Sequence, residues 1–143
     1  RYGTAIMGTM YTDKLALIVD DQEFVRKIVK TMLTQMGFLK IEVAADGTEA
    51  LAAVEADRPS LIICDINMKP MNGLEFIKTL RDKPEFYHRP IPIIFLTGEF
   101  SQDQATQAME LGCKSFLLKP VAPRKLQEKI DEIFGIENSG AED

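Results

Sequence analysis

Apolar positions along the 143-residue chain follow two alternating periods. "LALIV" (15–19), "IEVA" (41–44), "LIIC" (61–64), "IPIIFL" (91–96) and "SFLLK" (115–119) are short and read as β-strands. Most are apolar throughout, the pattern of strands covered on both faces. Helical spacing separates them. In 22–36 the residues Phe24, Val25, Ile28, Val29, Met32, Leu33 and Met36 form one stripe, and Gly37 is placed to end the helix. Asp46-Gly47 reads as a turn and Thr48 as the N-cap of "EALAAVEA". Residues 73–80 carry Leu74, Phe76, Ile77 and Leu80. Ser101 and Gln104 suit a capping box for a helix running to Leu111, with Gly112 after it. Pro123 fits the first turn of a last helix through Phe134, stopped by Gly135.

Five strands alternating with five helices predict a single doubly wound (βα)5 domain of class α/β, a parallel five-stranded sheet with helices on both faces. The alternation places the domain at 13–135. Residues 1–12 read as an N-terminal extension, linker or cloning remnant, and 136–143 as a polar, frayed tail. The length suits one domain with a full core, and 45% apolar with 27% charged residues argues against disorder. A net charge of −5 with no Lys/Arg cluster disfavours nucleic acid. No run reaches the roughly 20 apolar residues of a membrane helix. Cys64 and Cys113 lie in or beside apolar runs, as free buried thiols of a reducing cytoplasm do.

In open parallel sheets, ligands and chemistry gather at the carboxyl ends of the strands. There this chain places Asp20-Asp21, Asp65, Thr97-Gly98-Glu99 and Lys119-Pro120. Each has a plain alternative: Asp20 as a turn former, Thr97 bonding its own backbone, Lys119 as a solvated lysine. Their coincidence at one edge favours a shared site. Three converging carboxylates raise one another's pKa unless a cation sits among them. Few, hard oxygen ligands suit Mg²⁺, which keeps several waters and shares a substrate phosphate.

The ordered set formed by the acidic pair, the D-x-x-M-x-x-x-x-G stretch from Asp65 to Gly73, "LTGE" and "FLLKP" resembles the receiver domains of bacterial two-component response regulators, over residues 13 to 135. The resemblance implies the flavodoxin-like strand order 2-1-3-4-5 and a phosphorylation-operated switch with a chemotaxis-regulator-like, short-lived phosphoryl group. It implies Asp65 as a solvent-open phosphoacceptor and no enzymatic activity beyond self-phosphorylation and autodephosphorylation. Asp21, Asp65 and the Asn67 carbonyl would hold Mg²⁺ directly, with Asp20 acting through water. Thr97 and Lys119 would bind the phosphoryl oxygens, Thr97 and Phe116 would carry the switch, and Asn67, Lys69 and Glu99 would tune hydrolysis. Lys119-Pro120 would be cis, aiming the lysine. The expected partners are a cognate histidine kinase or histidine phosphotransfer protein and, through residues 101–134, a downstream target or a second copy of the chain. Gln102, Gln107, Lys114 and Gln127 would line that face.

Two features depart from the family pattern. "MKP" puts Lys69 where a proline usually follows the methionine, and "DKPEFYHRPIP" (82–92) is a long connection whose His88 reads as a surface residue. Other readings compete less well. A haloacid-dehalogenase-like phosphatase needs a second Asp where Asn67 stands, and Asp20-Asp21 would repel the phosphate of a flavodoxin-like cofactor. A degenerate receiver that only docks, or a receiver cut from a regulator with an output domain, remains as an alternative.

Overall fold

The structure, a computed structural model, describes residues 10–113 and 115–136. Five strands, β1 Leu15–Val19, β2 Lys40–Ala44, β3 Leu61–Asp65, β4 Ile93–Thr97 and β5 Ser115–Leu118, form one parallel sheet in the order β2-β1-β3-β4-β5. The helices are α1 Glu23–Gln35, α2 Gly47–Ala56, α3 Gly73–Arg81, the one-turn α4 Pro84–Tyr87, α5 Gln102–Glu110 and α6 Pro123–Ile133.

The continuous apolar strands follow from cover on both faces. Leu17, Val19, Ile62, Cys64, Ile93 and Phe95 point into a core shared with α2, α3 and α5, including Val54, Phe76, Ile77 and Ala108. Their neighbours Ala16, Ile18, Leu61, Ile63, Ile94 and Leu96 pack with Val29 and Leu33 of α1 and with Leu126 and Ile130 of α6. Successive residues of a strand face opposite sides, so a polar residue within β1, β3 or β4 would be buried whichever way it pointed. Burying each such Ile, Leu or Phe contributes about 1.5–3 kcal/mol.

Several expectations are corrected. Asp46, not Thr48, caps α2, its side chain accepting from the Glu49 amide at 3.0 Å. The stripe on α1 is narrower than its apolar spacing, because Phe24 is 73% exposed and Ile28 also reaches solvent. Ile91 and Pro92 precede β4 rather than starting it, and the long connection contains α4. Ser101 caps α5 by accepting from the Gln104 amide at 3.3 Å, but the Gln104 side chain turns elsewhere. The complete reciprocal capping box belongs to Asn72 and Glu75, at the start of α3. Tyr11, assigned from sequence to the segment before the domain, is fully buried, stacked on Phe38 at 4.7 Å and bonded to Asp131 at 2.5 Å. Lys119-Pro120 is cis as expected, and so is Lys69-Pro70. Cys64 and Cys113 are free and buried. His88 is exposed, and Lys114 lies outside the described residues.

Candidate functional site

Strand register brings the polar strand ends to one level. Val19 pairs with Cys64, so Asp20 emerges beside Asp65; Asp65 in turn pairs with Leu96, so Thr97 follows one step beyond. The Asp20 amide continues the ladder to the Ala44 carbonyl at 3.1 Å, and the Lys119 amide donates to the Thr97 carbonyl at 2.8 Å. Carboxylate oxygens of Asp20, Asp21 and Asp65 can lie within 4.8 Å of one another. The Lys119 ammonium sits 2.8 Å from Asp20 Oδ2 and 3.5 Å from Asp65 Oδ1. Thus the three acidic residues and the lysine meet as the sequence suggested.

Asp65 is only 4% exposed, which corrects the expectation of an open carboxylate. Burial first, then the charge of Asp20, push its pKa up to about 6, against the opposing pull of Lys119 and the Asn67 amide at 3.4 Å. Burial works against the Lys119 ammonium as well, but its close contact with Asp20 and the charges of Asp65 and Asp20 outweigh it. The net pKa is above the usual lysine value.

Asp20 is fully buried and plays both of its readings at once. Its Oδ1 accepts from the Gln22 amide at 2.9 Å, the turn that leads into α1. Its Oδ2 is within ion-pair distance of Lys119 yet has no aligned hydrogen-bond donor. The short distance and the missing alignment are compatible, since Coulomb attraction is less directional than a hydrogen bond, and we read the contact as an ion pair. A buried carboxylate oxygen with a spare lone pair beside two further carboxylates fits a hard divalent cation: one lysine offsets one negative charge of three. Side chains of Asp20, Asp21 and Asp65 could hold it.

The loop after β3 depends on Gly73. Its amide bonds the Ile66 carbonyl at 2.8 Å, and a Cβ there would stand 2.4 Å from the Asp65 carbonyl oxygen. No side chain fits that approach, which gives the D-x-x-M-x-x-x-x-G spacing a physical reason.

The remaining predicted residues sit around this centre. The Thr97 hydroxyl donates to the Glu99 carbonyl at 2.7 Å and accepts from its amide at 3.2 Å, so it is engaged in its own turn. Half-buried Phe116 stacks on Phe95 with ring centroids 6.0 Å apart. Between Thr97, Ile66, Gln104, Ala105 and Phe116 lies a gap of about 10 Å³. Lys69 and Glu99 are exposed, and among the described residues no ion pair joins either to the carboxylates.

Two contacts at the site escaped the sequence reading. Gln104 Nε2 donates to Asn67 Oδ1 at 2.9 Å, tying the first turn of α5 to the loop after β3. Arg26 Nη1 donates to the Asp20 carbonyl at 2.7 Å from the first turn of α1. Neither Gln104 nor Arg26 lies at a strand end, and no spacing rule marks a glutamine or arginine that reaches back from a helix.

The sequence matches the response regulator receiver domain family over residues 16–131. It is 34% identical over 118 residues to the chemotaxis protein CheY-3 of Vibrio cholerae, covering 82% of this chain and 89% of that one. It is 33% identical over 118 residues to the chemotaxis protein CheY of Pseudomonas aeruginosa, covering 82% and 94%. Among solved structures, the chemotaxis response regulator CheY4 of Vibrio cholerae superimposes with a TM-score of 0.75 at 34% identity, over 84% of this chain and 98% of that one. No helix among the described residues is long and apolar enough to cross a membrane.

Proposed function

Because this chain belongs to the response regulator receiver domain family, a family of signalling switches, we propose that Asp65 is its phosphoacceptor. In this reading a histidine kinase or histidine phosphotransfer protein supplies the phosphoryl group. An Asp65 carboxylate oxygen attacks phosphorus, an O–P bond forms, and the N–P bond of the phosphohistidine breaks with its electron pair returning to the imidazole. Hydrolysis later adds water to phosphorus and releases inorganic phosphate, restoring the carboxylate. The observation that carries the proposal is the placing of buried Asp65 between two further carboxylates and an ammonium at 3.5 Å.

Mg²⁺ fits the donor set of Asp20, Asp21 and Asp65, with the Asn67 carbonyl as a further ligand by resemblance; bound there, it supplies charge neutralisation for the approaching phosphoryl group. Lys119 already spans Asp20 and Asp65, so its ammonium can follow the new oxygens without leaving the site. Asn67 and Glu99 stand at the positions that tune access of water, with Lys69 as an added cation. The phosphorylated form is accordingly short-lived, and decay lasting many hours in Mg²⁺ buffer would exclude this. The setting of the reaction is the cytoplasm.

The switch in this reading runs through Thr97. Its hydroxyl leaves the Glu99 turn to donate to the phosphoryl group, drawing the chain between β4 and α5 toward Asp65. The gap beside Phe116 is too small for a phenyl ring, so the ring turns inward only as that segment moves. The surface changed is the one formed by α5, β5 and α6. A groove of about 500 Å³ between β5 and α6, edged by Phe116 and Leu118, supports it as the face for a downstream protein. Acetyl phosphate with Mg²⁺ should add one phosphoryl group to the wild type and none to Asp65→Asn, read by intact mass. Equal labelling of the two would exclude Asp65.

A further inference from the structure

The opposite pole of the sheet carries a feature that the switch does not use. Arg58-Pro59-Ser60 leads into the amino end of β3, and His88 to Pro92 lead into the adjacent β4. Between these segments lies a cavity of about 530 Å³, within the size range of small-ligand sites. Nothing acidic lines it, although the chain as a whole carries a net charge of −5.

The walls offer donors and have spent several acceptors. Arg58 is held stiffly: its Nη1 donates to the Glu85 carbonyl at 3.3 Å, its Nη2 donates to the Arg89 carbonyl, and its guanidinium lies over the Phe86 ring at 5.0 Å. Further N–H groups of that guanidinium remain. The Ile91 carbonyl is taken by Arg81 at 3.2 Å and the Pro92 carbonyl by the Ile62 amide at 3.0 Å. Pro90 and Pro92 have no N–H of their own and stiffen the loop. Among the described residues no carboxylate pairs with Arg58 or Arg89. Burial first, and then the charge of nearby Arg89, lower the Arg58 pKa. Ser60 and His88 add a hydroxyl and an imidazole to the same cavity.

We propose that this cleft is an anion site that takes the phosphate group of a small phosphorylated compound between the Arg58 and Arg89 guanidinium groups and the Ser60 hydroxyl. Planar guanidinium groups bind phosphate oxygens in pairs, and the fixed Arg58 loses little freedom in doing so. The site is separated from Asp65 by the length of β3, about 17 Å, so the two can be told apart residue by residue.

The test is an amide NMR titration of the full chain with inorganic phosphate and with pyrophosphate, in EDTA to keep divalent cations from the Asp65 site. The expected result is saturable shifts at Ser60, His88, Arg89 and Ile91, tighter for pyrophosphate and weakened by added salt. Arg89→Gln, at an exposed position, should weaken pyrophosphate binding about tenfold, as losing one charge-assisted contact does. Wild-type affinity in Arg89→Gln, no saturable shift at these amides, or shifts confined to the neighbourhood of Asp20, Asp65 and Lys119 would each overturn the proposal. A phosphoserine peptide titrated in parallel should bind no more tightly than inorganic phosphate. Binding fivefold tighter than that would assign the cleft to a phosphorylated protein segment instead and overturn the small-molecule reading.

Discussion

Burial makes the charge of the Asp65 carboxylate costly, and that cost has a sign. Its folded pKa, about 6, lies above the ordinary carboxylate value, so the folded state holds this proton more tightly than the unfolded one. Stability without metal therefore falls as pH rises through the window from about 4 to about 6. Asp65→Asn should then stabilise the metal-free protein at pH 7 by on the order of 2 kcal/mol, with the difference gone near pH 4. Urea unfolding in EDTA at the two pH values reads this, and an Asp65→Asn no more stable than wild type at pH 7 would show that the site is not charge-frustrated. Metal should reverse the ranking, because it needs the ionised form. Asp21→Ala should abolish Mg²⁺ binding measured by calorimetry, while Lys119→Ala should retain it and lose only the coupling of phosphate to the surface. Equal loss in both would mean that the roles of these two residues are misassigned. The acidic residues and Lys119 were legible in the sequence because each ends an apolar run. Gln104 and Arg26 were not, since their ends are set by rotamers that reach across elements. Nor was the burial of Asp65, for a strand-end position does not say how closely the loops around it close.

Elements were legible wherever periodicity was strong, and their boundaries failed where two polar residues competed for one cap. At α2 both Asp46 and Thr48 are good N-caps, and the structure chooses Asp46, with Gly47 opening the helix against Met71. At α1 the apolar spacing runs too wide by two residues, since Phe24 and Ile28 lie past the edge of the face that β1 and β3 cover. The loop from β3 to α3 gives the sharpest prediction at this scale. Gly73→Ala places a methyl group 2.4 Å from the Asp65 carbonyl oxygen and 3.1 Å from Ile66 Cα, both backbone atoms that cannot rotate away. It should cost about 2–4 kcal/mol in urea unfolding, as overpacking at a rigid site does, and should slow labelling of Asp65 by acetyl phosphate. Gly98→Ala is the control: nothing lies within 4 Å of its added carbon, and stability should change by no more than about 0.5 kcal/mol. If the two alanine variants were equally stable, the close approach would carry no energetic weight.

For the whole molecule, a parallel sheet with helices on both faces followed from the alternation of elements. The strand order came with the family resemblance, because a run of βα units alone does not say where the chain reverses direction across the sheet. Tyr11 was missed because the residues before it carry no period; its ring packs on Phe38 and its hydroxyl bonds a partner 120 residues away, Asp131 on α6. That bond joins the segment before β1 to the helix that borders the proposed partner face. Asp131 Oδ2 is buried without a partner, so Tyr11→Phe would leave both oxygens of a buried carboxyl unsatisfied and should cost about 1–3 kcal/mol. The same variant separates two ways in which the switch could reach α6. If Thr97 and Phe116 carry the change along β5 alone, beryllofluoride with Mg²⁺ should shift amides across 101–134 equally in wild type and Tyr11→Phe. A shift in the mutant that stops at β5 would mean that α6 must be held by Tyr11 to respond. We expect the first result, because Phe116 and Leu118 line the groove against α6 directly, whereas Tyr11 meets that helix from the buried side. Wild-type amide changes confined to the loops around Asp21, Asp65 and Thr97 would remove α5, β5 and α6 from the switch altogether.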